Sequence, residues 1–302
     1  VLAIADTVTV LRDGRSACSL PVAPGMTREA LIRPMVGRDI SDLFPRVRGT
    51  PGDVLLEVDG LSVKASDEDG GLALQDIGFE VRAGEVLGIG GLMGAGRTEL
   101  LMHLFAGVGQ RVAGDVRLAG AALAQGRPAE AIARGLMLVS EDRKRFGLVL
   151  DQSVGFNLSL SSLRRLLTRG GFVDAHAEVR RAGELMSALR IKAPGLESTV
   201  RGLSGGNQQK VVLGKALMTE PRVILLDEPT RGIDVGAKQE VYGLINQLTA
   251  AGKAVVLVSS ELPELLGMSD RILILSRGRV GGRFRHGEAT QEGLLQAAMA
   301  WA

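Results

Sequence analysis

The sequence predicts an α/β fold with a parallel core sheet, an antiparallel β edge and a helical subdomain. Three observations carry that expectation. Near-continuous apolar runs at 136–139, 223–226, 254–258 and 271–275 read as strands buried on both faces, the pattern of a parallel sheet under helices. A further strand at 85–90 runs into a Gly-rich loop and a helix through Phe105, while 54–61 and 74–81 look like an antiparallel edge. Segments around 161–168 and 174–189 read as helices with no strand between them. They interrupt the strand–helix alternation and mark a helical insertion at about 141–203.

Composition narrows the function classes. With 36 Lys and Arg against 34 Asp and Glu, the formal charge is +2, which gives no electrostatic footprint for nucleic acid. Basic clusters at Arg143-Lys144-Arg145, Arg164-Arg165 and Arg279-Arg283-Arg285 read as solvated faces or local salt bridges. The single cysteine, Cys18, precludes an internal disulfide and a cysteine-based zinc site. His103, His176 and His286 are too scattered to form a ligand pattern. No apolar run reaches the roughly 18–20 residues of a membrane-spanning helix, so any work at a membrane is expected of a peripheral subunit.

Two motifs stand out. Leu203-Ser204-Gly205-Gly206-Asn207-Gln208-Gln209-Lys210 is a Gly-rich turn opening a helix. Free backbone N–H groups and the positive dipole end suit such a turn to phosphate. Val223-Ile224-Leu225-Leu226-Asp227-Glu228-Pro229-Thr230 is a strand ending in two carboxylates, able to give Asp227 to Mg²⁺ and Glu228 to a water. A third motif, Gly91-Leu92-Met93-Gly94-Ala95-Gly96-Arg97-Thr98, follows a strand and opens a helix, the context of a phosphate loop. Its glycines let backbone N–H groups approach phosphate, and Thr98 can offer a hydroxyl to Mg²⁺. Arg97 stands where such loops carry lysine, replacing a compact ammonium by a longer planar fork.

An internal repeat bears on the domain plan. Asp6, the strand after it and the Gly14-Arg15 turn recur at Asp270, its strand and Gly278-Arg279. Both copies then run into a Thr-initiated helical pattern, at Thr27 and at Thr290. Repeats at a whole-domain period imply tandem homologous domains. Residues 1–37 are therefore expected to be the tail of a preceding domain, 38–52 a Pro/Gly-rich linker, and 53–302 a complete domain. On this reading the chain is a fragment of a longer two-domain protein.

The phosphate loop, the 203–210 turn and the 223–230 strand resemble the Walker A, signature and Walker B motifs of ATP-binding cassette (ABC) ATPases, a P-loop NTPase fold. Together with Ser140-Glu141-Asp142-Arg143-Lys144, residues 228–238 and Ser259-Ser260-Glu261-Leu262-Pro263-Glu264, they resemble the second nucleotide-binding half of bacterial monosaccharide importers of the ribose, galactose and xylose type. The resemblance implies ATP and Mg²⁺ as cofactors. It implies catalytic roles for Glu228, Ser260 and Glu141, with Ser260 standing where a histidine is expected and Glu141 where a glutamine is. Gly91, Gly94, Ala95, Gly96, Arg97, Thr98 and Glu99 would hold nucleotide, with Thr98 and Asp227 on the metal. Ser204, Gly205, Gly206 and Gln208, with Asp234 in the loop after Walker B, would face the nucleotide of the first half. Between Asp53 and Gly90 no ring is evident to stack on adenine, since Phe79 suits core packing.

The implied partners are the first nucleotide-binding half, mostly absent here, membrane permease subunits touching residues 146–157, and indirectly an extracytoplasmic sugar-binding protein. The place of work would be the cytoplasmic face of the bacterial plasma membrane. With the three substitutions, the isolated fragment is expected to be a weak ATPase. DNA-repair and translation-associated ABC ATPases share the motifs. The former would be expected to carry a long heptad insertion or zinc cysteines, the latter a long charged helical linker, and the sequence has none of these. A regulatory, non-hydrolysing nucleotide-binding module is the remaining alternative.

Overall fold

A computed structural model of the chain describes residues 4–12, 15–23, 25–26, 44–65, 72–124 and 126–301. Strands β1 (Thr7–Arg12) and β2 (Arg15–Pro21) form an antiparallel hairpin. Then follow β3 (Val54–Lys64), β4 (Leu72–Arg82), β5 (Val86–Gly91), α1 (Arg97–Ala106), β6 (Gln110–Leu118) and β7 (Ala121–Ala122). Next come α2 (Pro128–Arg134), β8 (Leu136–Val139), α3 (Val154–Ser159), α4 (Ala175–Ala188), α5 (Gly205–Leu217) and β9 (Val223–Asp227). The chain closes with α6 (Val235–Ala250), β10 (Ala254–Val258), α7 (Leu262–Met268), β11 (Arg271–Ser276), β12 (Arg279–Arg285) and α8 (Gln291–Ala298).

The apolar runs become the core sheet, in the order β12-β11-β5-β10-β9-β8 and parallel except for β12. Every residue of β9 and β10 is buried, as strands covered on both faces require. The antiparallel part is a separate sheet, β4-β3-β6-β7, rather than a two-stranded edge. Strand β6 escapes a periodicity reading because only Val116 and Leu118 along it are buried, the rest being polar or exposed. One further difference falls in the insertion between β8 and α5. Residues 161–168 form no α-helix: Leu160–Leu166 is a 3₁₀ segment, and Leu167 then bridges Val173. Helix α4 forms as expected because Asp174 caps it, accepting from Ala177 N at 3.0 Å. Val154, Leu158 and Leu166 fasten this insertion to Val211, Val212 and Leu213 of α5 in one core cluster.

The repeat has a structural counterpart. Hairpins β1–β2 and β11–β12 pair in the same register when shifted by 264 residues, from Thr7↔Pro21 and Arg271↔Arg285 to Arg12↔Arg15 and Ser276↔Arg279. Each slips register at the same step, Val10/Leu11 and Ile274/Leu275. Each is also closed by the same backbone bond, Val22 N to Asp6 O (2.8 Å) and His286 N to Asp270 O (3.0 Å). A register and its irregularity are set by local sequence and turn, so their recurrence reflects the repeated pattern itself. The second copy of the Thr-initiated helix is α8, capped by Thr290; the first copy lies outside the described residues.

Of the 38–52 segment, residues 44–52 are described, and part of that stretch is held tightly. Phe44 seats against Gly267 and lies 5.6 Å from the Tyr242 ring. The Arg46 side chain is 1% exposed and pairs with Asp270 at 2.6 Å. It also donates to Thr249 Oγ1 at 2.7 Å and to the Gly84 carbonyl at 3.3 Å. Removing Arg46 leaves the half-buried Asp270 charge with Val86 N (2.8 Å) and the more exposed Arg48, at 3.4 Å, as a weaker counter-charge. Arg46→Ala should therefore lower the unfolding free energy by about 3 kcal/mol, read from urea melts, with Arg46→Ala/Asp270→Asn recovering part of the loss.

Candidate nucleotide site

Strands β5, β10 and β9 lie side by side and parallel, so the loops leaving their C-terminal ends converge on one edge of the sheet. The first is the glycine loop. Gly94 and Gly96 adopt φ of 77° and 97°, conformations that side chains other than glycine rarely tolerate. Gly96 then serves as N-cap of α1 with no capping side chain, leaving the helix N-terminal amides to a ligand. Ala95 is buried; Thr98 and Glu99, in the first turn, are exposed.

The second loop leaves β9. Asp227 is buried, and Thr98 donates its hydroxyl to Asp227 Oδ2 at 3.0 Å. The other oxygen, Oδ1, is buried without a partner. Burial pushes the Asp227 carboxyl up to about 6; the Thr98 hydroxyl and Arg97 oppose the rise, and Glu228 adds to it. A hydroxyl beside an orphaned carboxylate oxygen is a donor set for a hard divalent cation, so these residues fit Mg²⁺.

Glu228 follows with φ of 47°, left-handed backbone that a non-glycine residue holds only under constraint. Its N–H donates to Val258 O of β10 at 3.0 Å. Both carboxylate oxygens are taken: Arg97 Nη1 reaches Oε1 at 3.2 Å and Ser260 Oγ reaches Oε2 at 3.1 Å. The Arg97 and Glu228 side chains are 15% and 8% exposed, so this pair is well shielded from water. Arg97, Thr98, Asp227, Glu228 and Ser260 thus form one constellation. Phe79 packs against the core, as its sequence context suggests.

The remaining candidates gather elsewhere. Glu141 leaves β8, next to β9, and forms an ion pair with Arg231. Ser204 caps α5, its Oγ accepting from Asn207 Nδ2 at 3.0 Å; Ser204 itself is exposed, Gly205 half-buried and Gly206 already buried with the body of the helix. Gly206 permits close packing: a β-carbon there would sit 2.9 Å from that of Ala237 on α6. Asp234 caps α6 through Ala237 N (2.9 Å) and so braces the same junction. Gln208 is buried and donates to Val200 O at 3.2 Å, supporting the turn from within.

Motif matching passed over two arginines. Arg143 belongs to a cluster read as a solvated face, yet its Nη1 donates to Arg231 O at 3.2 Å and its Nε is buried. Arg231 joins it and Glu141 in stapling the loops after β8 and β9. Only their position, each four residues after a strand end on the edge where the motifs meet, could have flagged them.

A carboxyl that binds its proton more tightly when folded costs stability as it ionises, so the Asp227 contribution falls as pH rises from about 4 to about 6. Asp227→Asn should match the parent chain near pH 4 and exceed it by about 2–3 kcal/mol at pH 7, in urea melts of nucleotide-free protein.

Comparison with known proteins agrees with this geometry. The ABC transporter family profile matches residues 74–231, more than half of the chain. The chain is 49% identical over 298 residues to the xylose import ATP-binding protein XylG of Moorella thermoacetica, covering 99% of this chain and 58% of that protein. It is 49% identical over 299 residues to the ribose import ATP-binding protein RbsA 2 of Streptomyces coelicolor, covering 99% and 56%. The chain therefore spans somewhat over half the length of these relatives. Among solved structures, a nucleotide-free ATP-binding cassette from an ABC transporter aligns with a TM-score of 0.67 at 21% identity, over 78% of this chain and 93% of that one. A dimeric post-hydrolysis cassette bound to ADP and Pi aligns with a TM-score of 0.66 at 22% identity, over 76% and 98%. The buried carboxylate pair, the glycine loop and the capped Gly-rich turn thus stand on a cassette fold, and the chain belongs to the ABC transporter family.

Proposed function

We propose that this chain is the second nucleotide-binding half of a bacterial sugar-import ATPase, preceded by the tail of the first half. The observation that carries the reading is the match to xylose and ribose import proteins along 99% of the chain, with an assembled Thr98–Asp227 and Arg97–Glu228–Ser260 site inside it. The shared register of β1–β2 and β11–β12 supports the tandem plan, with residues 1–37 ending one cassette, 38–52 linking, and 53–302 forming the next.

In this reading Gly91 to Glu99 hold the phosphates of ATP. Thr98 and the orphaned oxygen of Asp227 hold Mg²⁺, which supplies charge neutralisation at the phosphates. Glu228 orients the attacking water. This site is the weaker of two. Arg97 is paired with Glu228 instead of standing free for phosphate, and Ser260 can donate a hydrogen bond but lacks an imidazole's proton chemistry near neutral pH. The Ser204-Gly205-Gly206 turn, backed by Gln208 and Asp234, completes the other nucleotide site, which belongs to the first half. Glu141, ion-paired with Arg231, links the two loops through which the halves sense each other.

The permease-facing surface is read at residues 146–157. Phe146 (61% exposed) and Phe156 (40%) lie open there, whereas Asn157 is buried and ties the segment together through Val149 N and O. No helix among the described residues is long and apolar enough to cross a membrane, in keeping with a peripheral subunit. We place that subunit at the cytoplasmic face of the plasma membrane, working with permease subunits and a sugar-binding protein. A regulatory, non-hydrolysing role for this half is the second reading, favoured by the engagement of both Glu228 oxygens.

Turnover of the full two-half protein separates the roles. Ser204→Arg should lower steady-state ATP hydrolysis about 100-fold, and Arg97→Ala about tenfold or less. The reverse order would contradict the assignment. The chain alone should hydrolyse ATP far more slowly than the two-half protein; equal rates per site would overturn the weak-site reading.

A further inference from the structure

The deepest carboxyl near the site closes the 259–264 motif but has no role assigned to it there. Glu264, on α7, is completely buried. Its Oε1 accepts from Thr230 Oγ1 at 2.7 Å and from Tyr242 OH at 2.8 Å, while Oε2 is buried without a partner. Burial, and then the Glu264 carboxylate beside it, push the Tyr242 hydroxyl above its usual range, so it stays a donor. Holding a carboxylate out of water costs free energy unless its partners compensate, and here they are two hydroxyls.

What those hydroxyls belong to gives the cluster its meaning. Thr230 lies two residues beyond Glu228, whose φ is 47°. Strained backbone of that kind persists only where its surroundings over-determine it. The restraints are the bond from Glu228 N to Val258 O (3.0 Å), the turn bond from Arg231 N to Glu228 O (3.1 Å), and the Thr230–Glu264 bond. Glu264 also sits just beyond the loop that carries Ser260, where Glu261 N bonds Ser259 Oγ at 3.0 Å. It therefore fastens the loop bearing Glu228 to the element that follows Ser260. Phe44, packed on Tyr242, is the outer end of the same chain of contacts.

We propose that Glu264 is a positioning residue for ATP hydrolysis, its buried carboxylate holding Thr230 so that Glu228 keeps its backbone and its place between Arg97 and Ser260. This rests on the reading of Glu228 as the group that orients water. In the proposed two-half arrangement the same loop carries Asp234 towards the first half, so turnover at either site reads the loop's position.

The test uses the full two-half protein and the variants Thr230→Val, Glu264→Leu and Glu264→Gln. Valine and leucine remove the bond, whereas glutamine keeps a side-chain oxygen that can accept from both hydroxyls. Thr230→Val and Glu264→Leu should each lower kcat about tenfold with KM for ATP within about twofold. The double variant should fall no further than Glu264→Leu, and Glu264→Gln should retain at least about half of the parent kcat. Amide exchange at Arg231 and Gly232 should quicken in the first two variants and not in the third. If Glu264→Leu does not fold, the near-isosteric Thr230→Val decides alone. Parent-like kcat in Thr230→Val, or a change confined to KM, overturns the proposal. A parent protein that hydrolyses no ATP overturns the ATPase reading itself, which is a different failure from a turning-over parent indifferent to these variants.

Discussion

The site depends on one contact set: the carboxylate of Glu228 lodged between Arg97 and Ser260, on a left-handed backbone. Three loops meet there because β5, β10 and β9 are adjacent and parallel, each delivering one member from its C-terminal end. Strand order is thus the constraint behind the chemistry. The apolar runs that bury both faces of the sheet fix which loop ends emerge together, and the polar residues just past each run become neighbours. Thr98 and Asp227 meet by the same logic, one helical position and one strand end brought to 3.0 Å.

A second centre stands apart from the first. Ser204 and the glycines after it crown α5, whose body is sunk in the core and whose start is packed against the start of α6 at Gly206 and Ala237. Arg143, Arg231 and Glu141 tie the loops after β8 and β9 together beside this junction. In the proposed arrangement the two centres serve different nucleotides. Within the chain they are joined through the core sheet and the packed start of α5 and α6. Surface ion pairs such as Glu141–Arg231 add little stability by themselves.

Much of this was legible in the sequence, for identifiable reasons. The core strands were readable because burial on both faces leaves an apolar run without interruption, as at Leu136–Val139 and Ala254–Val258. The glycine loop and the Asp227-Glu228 pair were readable because phosphate and metal chemistry permit few residue types. Strand β6 was not, since its pairing with β3 is made by backbone and its side chains are mostly exposed. Nor was the 3₁₀ path of Leu160–Leu166, which shares its local spacing with an α-helix and is decided by packing. The hold on Phe44 and Arg46 was hidden for another reason: their partners, Tyr242 and Asp270, lie some 200 residues onward. The Arg97–Glu228 pair was equally unreadable, although the arginine itself was conspicuous. Sequence showed an unusual residue, and geometry showed where its charge goes.

The central claim is that this half contributes a weak ATP site of its own together with the signature turn of a stronger one. Counting hydrolysed nucleotides in a single turnover of the full two-half protein, loaded with ATP and Mg²⁺ and quenched over time, tests it most directly. The account predicts a fast phase of about one ADP per two bound ATP, with Arg97→Lys converting the slow remainder towards the fast phase. Two equivalent ADP formed at one rate in the parent protein would contradict it.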